Sequence, residues 1–236
     1  MKRLTNIVVN LILIAIIFSG VLLIFNQPIQ EHFISKASGD LLDIDADTIA
    51  ENIGADVSYN FDDIEELTLT DILSLQSTKS YVPVIAQIAI PSVNIRLPIA
   101  KGLSETALAT GAGTMKESQQ LGEGNYTLAS HNLEGTDVLF SPLHRLEIGE
   151  LIYITDLQDV YTYEVTISEV VEPTAVYVLD DVPNKRLLTL ITCAFDGADR
   201  LHIQATFKNK TPLDKATPEM LNAFDRLQTH TQWKQS

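Results

Sequence analysis

The sequence contains a single cysteine, Cys193, in 236 residues. No intrachain disulfide is possible, so the fold must be held by its core. Positive charge is also scarce: 16 Lys and Arg stand against 31 Asp and Glu, for a formal net charge of -15. The basic residues form neither a patch nor a stripe, which argues against nucleic acid as a partner, because phosphate binding needs clustered Lys and Arg. Between Lys36 and Lys79 there is no basic residue at all. The acidic residues of that stretch lack EF-hand spacing, so calcium is only weakly suggested there. There is no internal repeat, no low-complexity tract and no second long apolar run after residue 25.

What is present begins with a membrane-length segment. Residues 7–25 are apolar apart from Asn10, Ser19 and Gly20, which matches the length a helix needs to cross the hydrocarbon core. The following Asn26-Gln27-Pro28-Ile29 supplies no small-residue cleavage site, so the segment reads as an uncleaved transmembrane signal anchor. Lys2 and Arg3 precede it and no basic residue follows until Lys36. The positive-inside rule therefore places residues 1–6 in the cytoplasm and the rest outside. Residues 26–80 read as an acidic extracytoplasmic stalk or linker. Within it, Ile64, Leu67, Ile72 and Leu75 fit a short amphipathic helix over residues 62–75, suited to docking on the main body.

The body is expected over residues 81–210. The 45% hydrophobic content is ample for a core. Residues 82–90 and 95–99 are strand-like around a Pro91-Ser92-Val93-Asn94 turn. Ser104 caps a short helix through Ala109, which Gly111 and Gly113 terminate. Residues 125–131 return to strand, 138–146 are helical or looped around Pro142, and 151–155 and 160–171 are further strands. Many short strands with little helix predict a mainly β chain closed, or nearly closed, into a barrel. Residues 211–236 form a polar tail in which Thr217-Pro218 starts a short helix through Leu227.

The chemistry concentrates in residues 187–207, which read as two strands joined by a polar loop containing a glycine. Cys193 closes the first strand and Arg200 opens the second, so antiparallel pairing sets their Cα atoms roughly 5 Å apart. A thiol with a pKa of about 8.5 is mostly protonated at neutral pH and needs a nearby histidine to act as a nucleophile. His32 and His230 fall in the stalk and tail and read as solvated, and His144 reads as a loop residue. His202, two residues after Arg200, shares its sheet face. His131 ends a strand and precedes the loop Asn132-Leu133-Glu134-Gly135. A lone cysteine on a strand is more often core than catalyst; its position at the strand end beside an arginine favours a role. Two readings of other kinds stay open at this point: a zinc site made from Cys193, His131 and His202, and a binding barrel with an inert thiol.

Thr189-Leu190-Ile191-Thr192-Cys193, followed after a short loop by Arg200 and a strand, resembles the signature of the sortases, membrane-anchored cysteine transpeptidases of Gram-positive bacteria. Upstream, Ile88-Ala89-Ile90-Pro91, Leu97-Pro98-Ile99, Gly111-Ala112-Gly113-Thr114 and Gly124-Asn125-Tyr126-Thr127-Leu128-Ala129-Ser130-His131 are similar to the housekeeping class A members. Phe140-Ser141-Pro142-Leu143 and Ile152-Tyr153-Ile154-Thr155-Asp156 extend the match. Ser130 stands where the family often has glycine.

The resemblance implies a closed eight-stranded sortase-type β-barrel. It implies Cys193 as nucleophile, His131 as general acid/base and Arg200 as the group that holds substrate and stabilises the oxyanion. Thr192 is implied to assist the oxyanion site, and Leu103, Met115, Ala129 and Ile191 to line the substrate groove. The implied partners are secreted proteins bearing a Leu-Pro-x-Thr-Gly signal, an amine on a lipid-linked peptidoglycan precursor, and the bilayer around the N-terminal helix. No metal or cofactor is implied. A pilus-polymerising class is the nearest alternative, but the aromatic-acidic lid and second C-terminal span usual there are not seen.

Overall fold

The computed structural model describes residues 2–24, 26–60, 67–68, 71–72, 81–195 and 197–225. Among them eight strands close into a barrel: β1 (Val84–Ile90), β2 (Ile95–Ala100), β3 (Ala112–Thr114), β4 (Asn125–Ala129), β5 (Leu151–Thr155), β6 (Asp159–Val171), β7 (Leu187–Ala194) and β8 (Asp199–Pro212). Neighbours run β1-β2-β3-β4-β7-β8-β6-β5, and β5 returns to β1. Closure leaves no unpaired sheet edge. Alternate residues fill the interior, among them Ile88, Ile90, Leu128, Ile154, Leu188, Leu190 and Ile203. A turn of 3-10 helix at Pro91–Val93 joins β1 to β2, and Asn94 closes it in the left-handed region at φ 56°, a conformation asparagine tolerates well.

Two pairings are parallel, β2 with β3 and β4 with β7. A parallel pair needs a long crossover, and the helix α4 (Glu105–Thr110) supplies the first. Ser104 caps α4 by accepting from the Ala107 N–H at 3.2 Å. Strand β3 is absent from the sequence expectation. Its three residues are too few to show an alternation, and the glycines beside it read as terminators. A Cβ on Gly111 would stand 2.4 Å from the Pro98 carbonyl oxygen, so close approach to β2 requires glycine there.

The region expected to be a stalk is structured where it is described. Three helices, α1 (Lys2–Ile24), α2 (Asn26–Leu42) and α3 (Ala46–Ile53), precede the barrel. Ile34, Leu42 and Ile49 are buried. The Gln87 side chain on β1 donates to the Leu42 carbonyl at 3.0 Å, and Asn52 on α3 donates to the Val84 carbonyl at 2.8 Å. Lys101 donates to the Ile53 and Ala55 carbonyls at the end of α3, where the helix dipole favours a cation. Acidic charge dominates the composition of this stretch, but Asp40, Asp43, Asp45, Asp47 and Glu51 are exposed while Ile34, Leu42 and Ile49 turn inward. Of the helix expected at 62–75, residues 67–68 and 71–72 are described; Asp71 and Ile72 are helical and the rest lies outside the described residues. Among the described residues no helix is long and apolar enough to cross a membrane, so the transmembrane span expected at 7–25 is not shown by the fold, although α1 covers most of it.

The C-terminal boundary also differs. Strand β8 runs past residue 210, and α5 (Pro218–Asp225) packs Met220, Ala223 and Phe224 against Ala89, Tyr153 and Val160. Thr217 caps it as expected, its hydroxyl accepting from the Met220 N–H at 3.3 Å, and Leu227 lies outside the described residues.

Candidate active site

The two strand registers around β7 decide what meets at the barrel rim. β4 and β7 run parallel with Ala129 opposite Ile191. Equal steps along parallel strands stay level, so His131 and Cys193, each two residues further on, arrive at the same end of the sheet. β7 and β8 run antiparallel with Cys193 opposite Arg200. All three side chains line one cleft of about 750 Å³, within the usual volume range of a ligand site.

Local bonds hold these positions. The Ser130 N–H donates to the Ile191 carbonyl at 3.3 Å, its hydroxyl donates to the Gly111 carbonyl at 2.6 Å, and the Thr192 hydroxyl donates to the Ser130 carbonyl at 2.7 Å. The hydroxyl of Ser130 is thus satisfied in a buried slot. Asn132 reaches across from the His131 loop and donates to the Cys193 carbonyl at 2.9 Å. The Phe140 N–H donates to the His131 carbonyl at 3.1 Å, and the Leu133 N–H to the Ser141 hydroxyl at 2.9 Å. Arg200 turns Nη1 onto the Gly197 and Asp199 carbonyls at 2.9 and 3.0 Å, which sets its guanidinium against the short loop.

His131 sits in a desolvating position. Its Nε2 is buried with no hydrogen-bond partner among the described residues. Burial pushes its pKa down from 6.5 to about 4, and the Asp71 carboxylate opposes that in part. Desolvation disfavours the charged ring and a nearby anion favours it.

Of the expected groove residues, Met115, Ala129, Ile191 and Thr192 line the cleft. Leu103 does not: it lies beneath, packed with Leu108 and Met115. The Thr192 hydroxyl is engaged with the Ser130 carbonyl. His202 is buried and directs Nδ1 to Glu169 Oε1 at 3.1 Å. Among the described residues no three His, Cys, Asp or Glu side chains are grouped to hold a metal ion. His144 is held in its loop, Nδ1 lying 2.7 Å from the Ser141 carbonyl.

The sortase domain family model matches residues 88–208, which takes in His131, Cys193 and Arg200. The chain belongs to the sortase family. It is 39% identical to a sortase A of Streptococcus agalactiae over 229 residues, covering 94% of this chain and 93% of that one. A sortase A of Listeria monocytogenes is 34% identical over 184 residues, covering 77% and 82%. The solved structure of a Listeria monocytogenes sortase A superposes with a TM-score of 0.55 at 34% identity, over 60% of this chain and 96% of that one. These relatives make this sortase a class A member and a cysteine transpeptidase.

Several lining residues of this sortase escaped sequence reading. Leu108 comes from α4, and Val176, Val178 and Leu179 from the 3-10 turn Val176–Leu179 in the β6–β7 connection. The apolar run Val176-Tyr177-Val178-Leu179 inside an otherwise polar connection was the available signal. Asn132 had none beyond its place next to His131. Leu67 of the acidic segment also reaches the cleft.

Proposed function

We propose that this sortase cleaves secreted proteins at a Leu-Pro-x-Thr-Gly signal and joins them to the cell wall. The Cys193 thiolate attacks the Thr carbonyl carbon of the Thr-Gly bond, forming a C–S bond and a tetrahedral oxyanion that Arg200 stabilises. The C–N bond then breaks as protonated His131 gives its proton to the leaving glycine amine, leaving a thioacyl enzyme. An amine of the lipid-linked peptidoglycan precursor attacks the thioester, neutral His131 accepts its proton, and the thiolate departs. Met115, Ala129 and Ile191 line the apolar groove for the substrate Leu and Pro. Thiolate, imidazole and guanidinium supply every step, so no metal or cofactor is required.

The observation that carries this reading is the register that brings the single cysteine, His131 and Arg200 to one cleft. A cysteine transpeptidase with one cysteine leaves no other nucleophilic thiol. We also propose that α1 anchors the chain in the bilayer with residues 1–6 in the cytoplasm. In support, Ile7, Val9, Leu11, Ile12, Leu13, Ile14, Ile16, Ile17 and Phe18 are 48–65% exposed around α1, and a helix apolar on all sides suits lipid.

One assay tests the chemistry. The full chain in detergent is incubated with a Leu-Pro-x-Thr-Gly peptide and a panel of amines, and followed by mass spectrometry. The expected result is a peptide adduct on Cys193 that an amine discharges. Absence of both adduct and glycine release would overturn the reading.

A further inference from the structure

The loop that leaves His131 is held from two sides. On the barrel side, the Thr136 N–H and hydroxyl both donate to the Leu133 carbonyl, at 3.1 and 2.7 Å, and close residues 133–136 into a turn. Asn132 at the start of the loop reaches the Cys193 carbonyl, and at its end the Asp137 carboxylate pairs with Arg145 at 2.7 Å. The outer side is held by the first two turns of α2. Gln27 Nε2 donates to the Glu134 carbonyl at 3.3 Å, and Glu31 Oε1 accepts from the Asp137 N–H at 3.2 Å. A spacing of four puts Gln27 and Glu31 one above the other on a helix face, so the two bonds grip the loop on either side of Gly135 and Thr136. Gly135 has a φ of 76°, a left-handed conformation that favours glycine, and its bare Cα leaves room for the Gln27 amide, which would stand 2.6 Å from a Cβ there.

The grip is backed by the rest of the helix. Ile34, Ser38 and Leu42 continue the face of Gln27 and Glu31 at helical spacing and are buried. Ile34 belongs to the main core, and Gln87 of β1 holds the last carbonyl of α2. Beside that face, Gln30 lines the catalytic cleft together with Leu133 and Glu134. The first turns of α2 are therefore a wall of the cleft, supplied from outside the barrel.

We propose that Gln27 and Glu31 are positioning residues for His131: α2 clamps the loop 132–137 from outside and so fixes where the imidazole stands relative to Cys193. This role rests on the reading of His131 as general acid/base. Proton transfer needs its partners within hydrogen-bond reach, and a misplacement of about 1 Å costs up to about 10²-fold in rate. His131 Nε2 has no hydrogen-bond partner among the described residues, so at that nitrogen the place of the ring is set by the backbone that carries it. That backbone runs into a loop whose tip, Glu134 and Gly135, is exposed, where local movement is easiest.

The clamp also has a direction. Ala129 and Ile191 of the groove precede His131 and Cys193 by two residues on parallel strands, whereas α2 meets the loop past the strand ends. Different elements thus serve substrate binding and proton transfer, and loss of the clamp falls on kcat rather than on KM. The full chain in detergent is assayed with a Leu-Pro-x-Thr-Gly peptide, well below the thermal midpoint of each protein, as wild type, Gln27→Ala, Glu31→Ala, the double variant and Glu31→Gln. The last keeps an oxygen that accepts the Asp137 N–H. The expected kcat is about threefold lower in each alanine variant and about tenfold lower in the double variant, with KM within about twofold and Glu31→Gln close to wild type. The single variants keep the test decisive should the double variant fold poorly. Unchanged kcat in the alanine variants would overturn the proposal. So would a Glu31→Gln as slow as Glu31→Ala, which would tie the effect to charge instead of the bond, and so would a raised KM at unchanged kcat, which would make α2 a substrate-binding wall. Failure of the wild type to cleave the peptide would instead remove the reading of His131 on which the clamp depends.

Discussion

Strands β1 and β7 are made of similar material, Val-Ile-Ala-Gln-Ile-Ala-Ile and Leu-Leu-Thr-Leu-Ile-Thr-Cys-Ala, and both send alternate residues into one core. They differ in what covers their outer faces. Behind β1 lie helices: α5 packs on Ala89, while Leu41 and Ile44 pack beside Val84. At the end of β7 the outer face is covered less: Ile191 packs with Leu108 of α4 and Leu179 of the β6–β7 connection, and Ile191 and Cys193 remain partly exposed in the cleft. A strand buried on both faces contributes stability, whereas a strand end that stays partly exposed in a cleft can present side chains to a substrate. The comparison therefore predicts that substitutions at the β7 end lose activity and keep stability, and that substitutions behind β1 do the reverse.

Cys193→Ala gives the largest effect. Removing the nucleophile should lower kcat/KM by at least about 10⁴-fold, with a thermal midpoint close to wild type because the side chain is only half-buried. Residual thioester chemistry or collapse of the fold would each break the contrast. Next comes Arg200→Lys. Loss of a donor from an oxyanion site costs about 10² to 10³ in rate, and a point-charge ammonium cannot reproduce a planar guanidinium that rests Nη1 on the Gly197 and Asp199 carbonyls while keeping its other N–H groups for a substrate. Near-normal turnover would remove Arg200 from the oxyanion role.

The same contrast shows what could be read from the sequence. β1 and β7 announced themselves by apolar runs, and the Cys193–Arg200 pairing followed from one hairpin, because local antiparallel neighbours can be counted along the chain. The alignment of His131 with Cys193 could not be counted. It depends on a parallel pairing of strands separated by more than fifty residues, and nothing local in either strand encodes its partner. β3 has three residues and owes its existence to β2 and β4. The helices behind β1 were hidden by composition: eleven acidic residues between Lys36 and Lys79 suggest a solvated spacer, yet Ile34, Leu42 and Ile49 supply the apolar stripe that docks.

The pH dependence of stability should separate the two regions at an intermediate scale. His131 has a folded pKa of about 4 against an ordinary value of 6.5. A depressed pKa contributes stability that is complete above pH 6.5 and lost progressively as the pH falls toward 4. Allowing for partial exposure, the loss is about 2 kcal/mol. Asp45, Asp71 and Asp181 are held below 3.8 by their hydrogen bonds, so their contributions vanish only in more acidic solution. Comparing urea midpoints at pH 7 and pH 4.5 for wild type and His131→Gln isolates the effect. The variant should show the smaller decline, and equal declines would place the acid sensitivity away from the cleft.

The smallest effect tests the covered side of the barrel. Gln87 points outward from β1, is buried, and holds the last carbonyl of α2 through the bond to Leu42. Gln87→Met keeps the length and apolar stem and removes only the donor, leaving the Leu42 carbonyl without that partner. A lost hydrogen bond to a buried carbonyl costs about 1 to 2 kcal/mol, so the midpoint should fall by several degrees while kcat/KM for peptide cleavage stays within about twofold, since Gln87 lies outside the cleft. The measurement also decides what residues 26–42 are in solution. If α2 docks on β1, its first turns also brace the loop after His131, through Gln27 on the Glu134 carbonyl and Glu31 on the Asp137 N–H, and stability must register the lost bond. If α2 instead swings free as a spacer, the Gln87 amide is already exchanging with water, the substitution exposes a thioether in place of an amide, and the midpoint stays where it was.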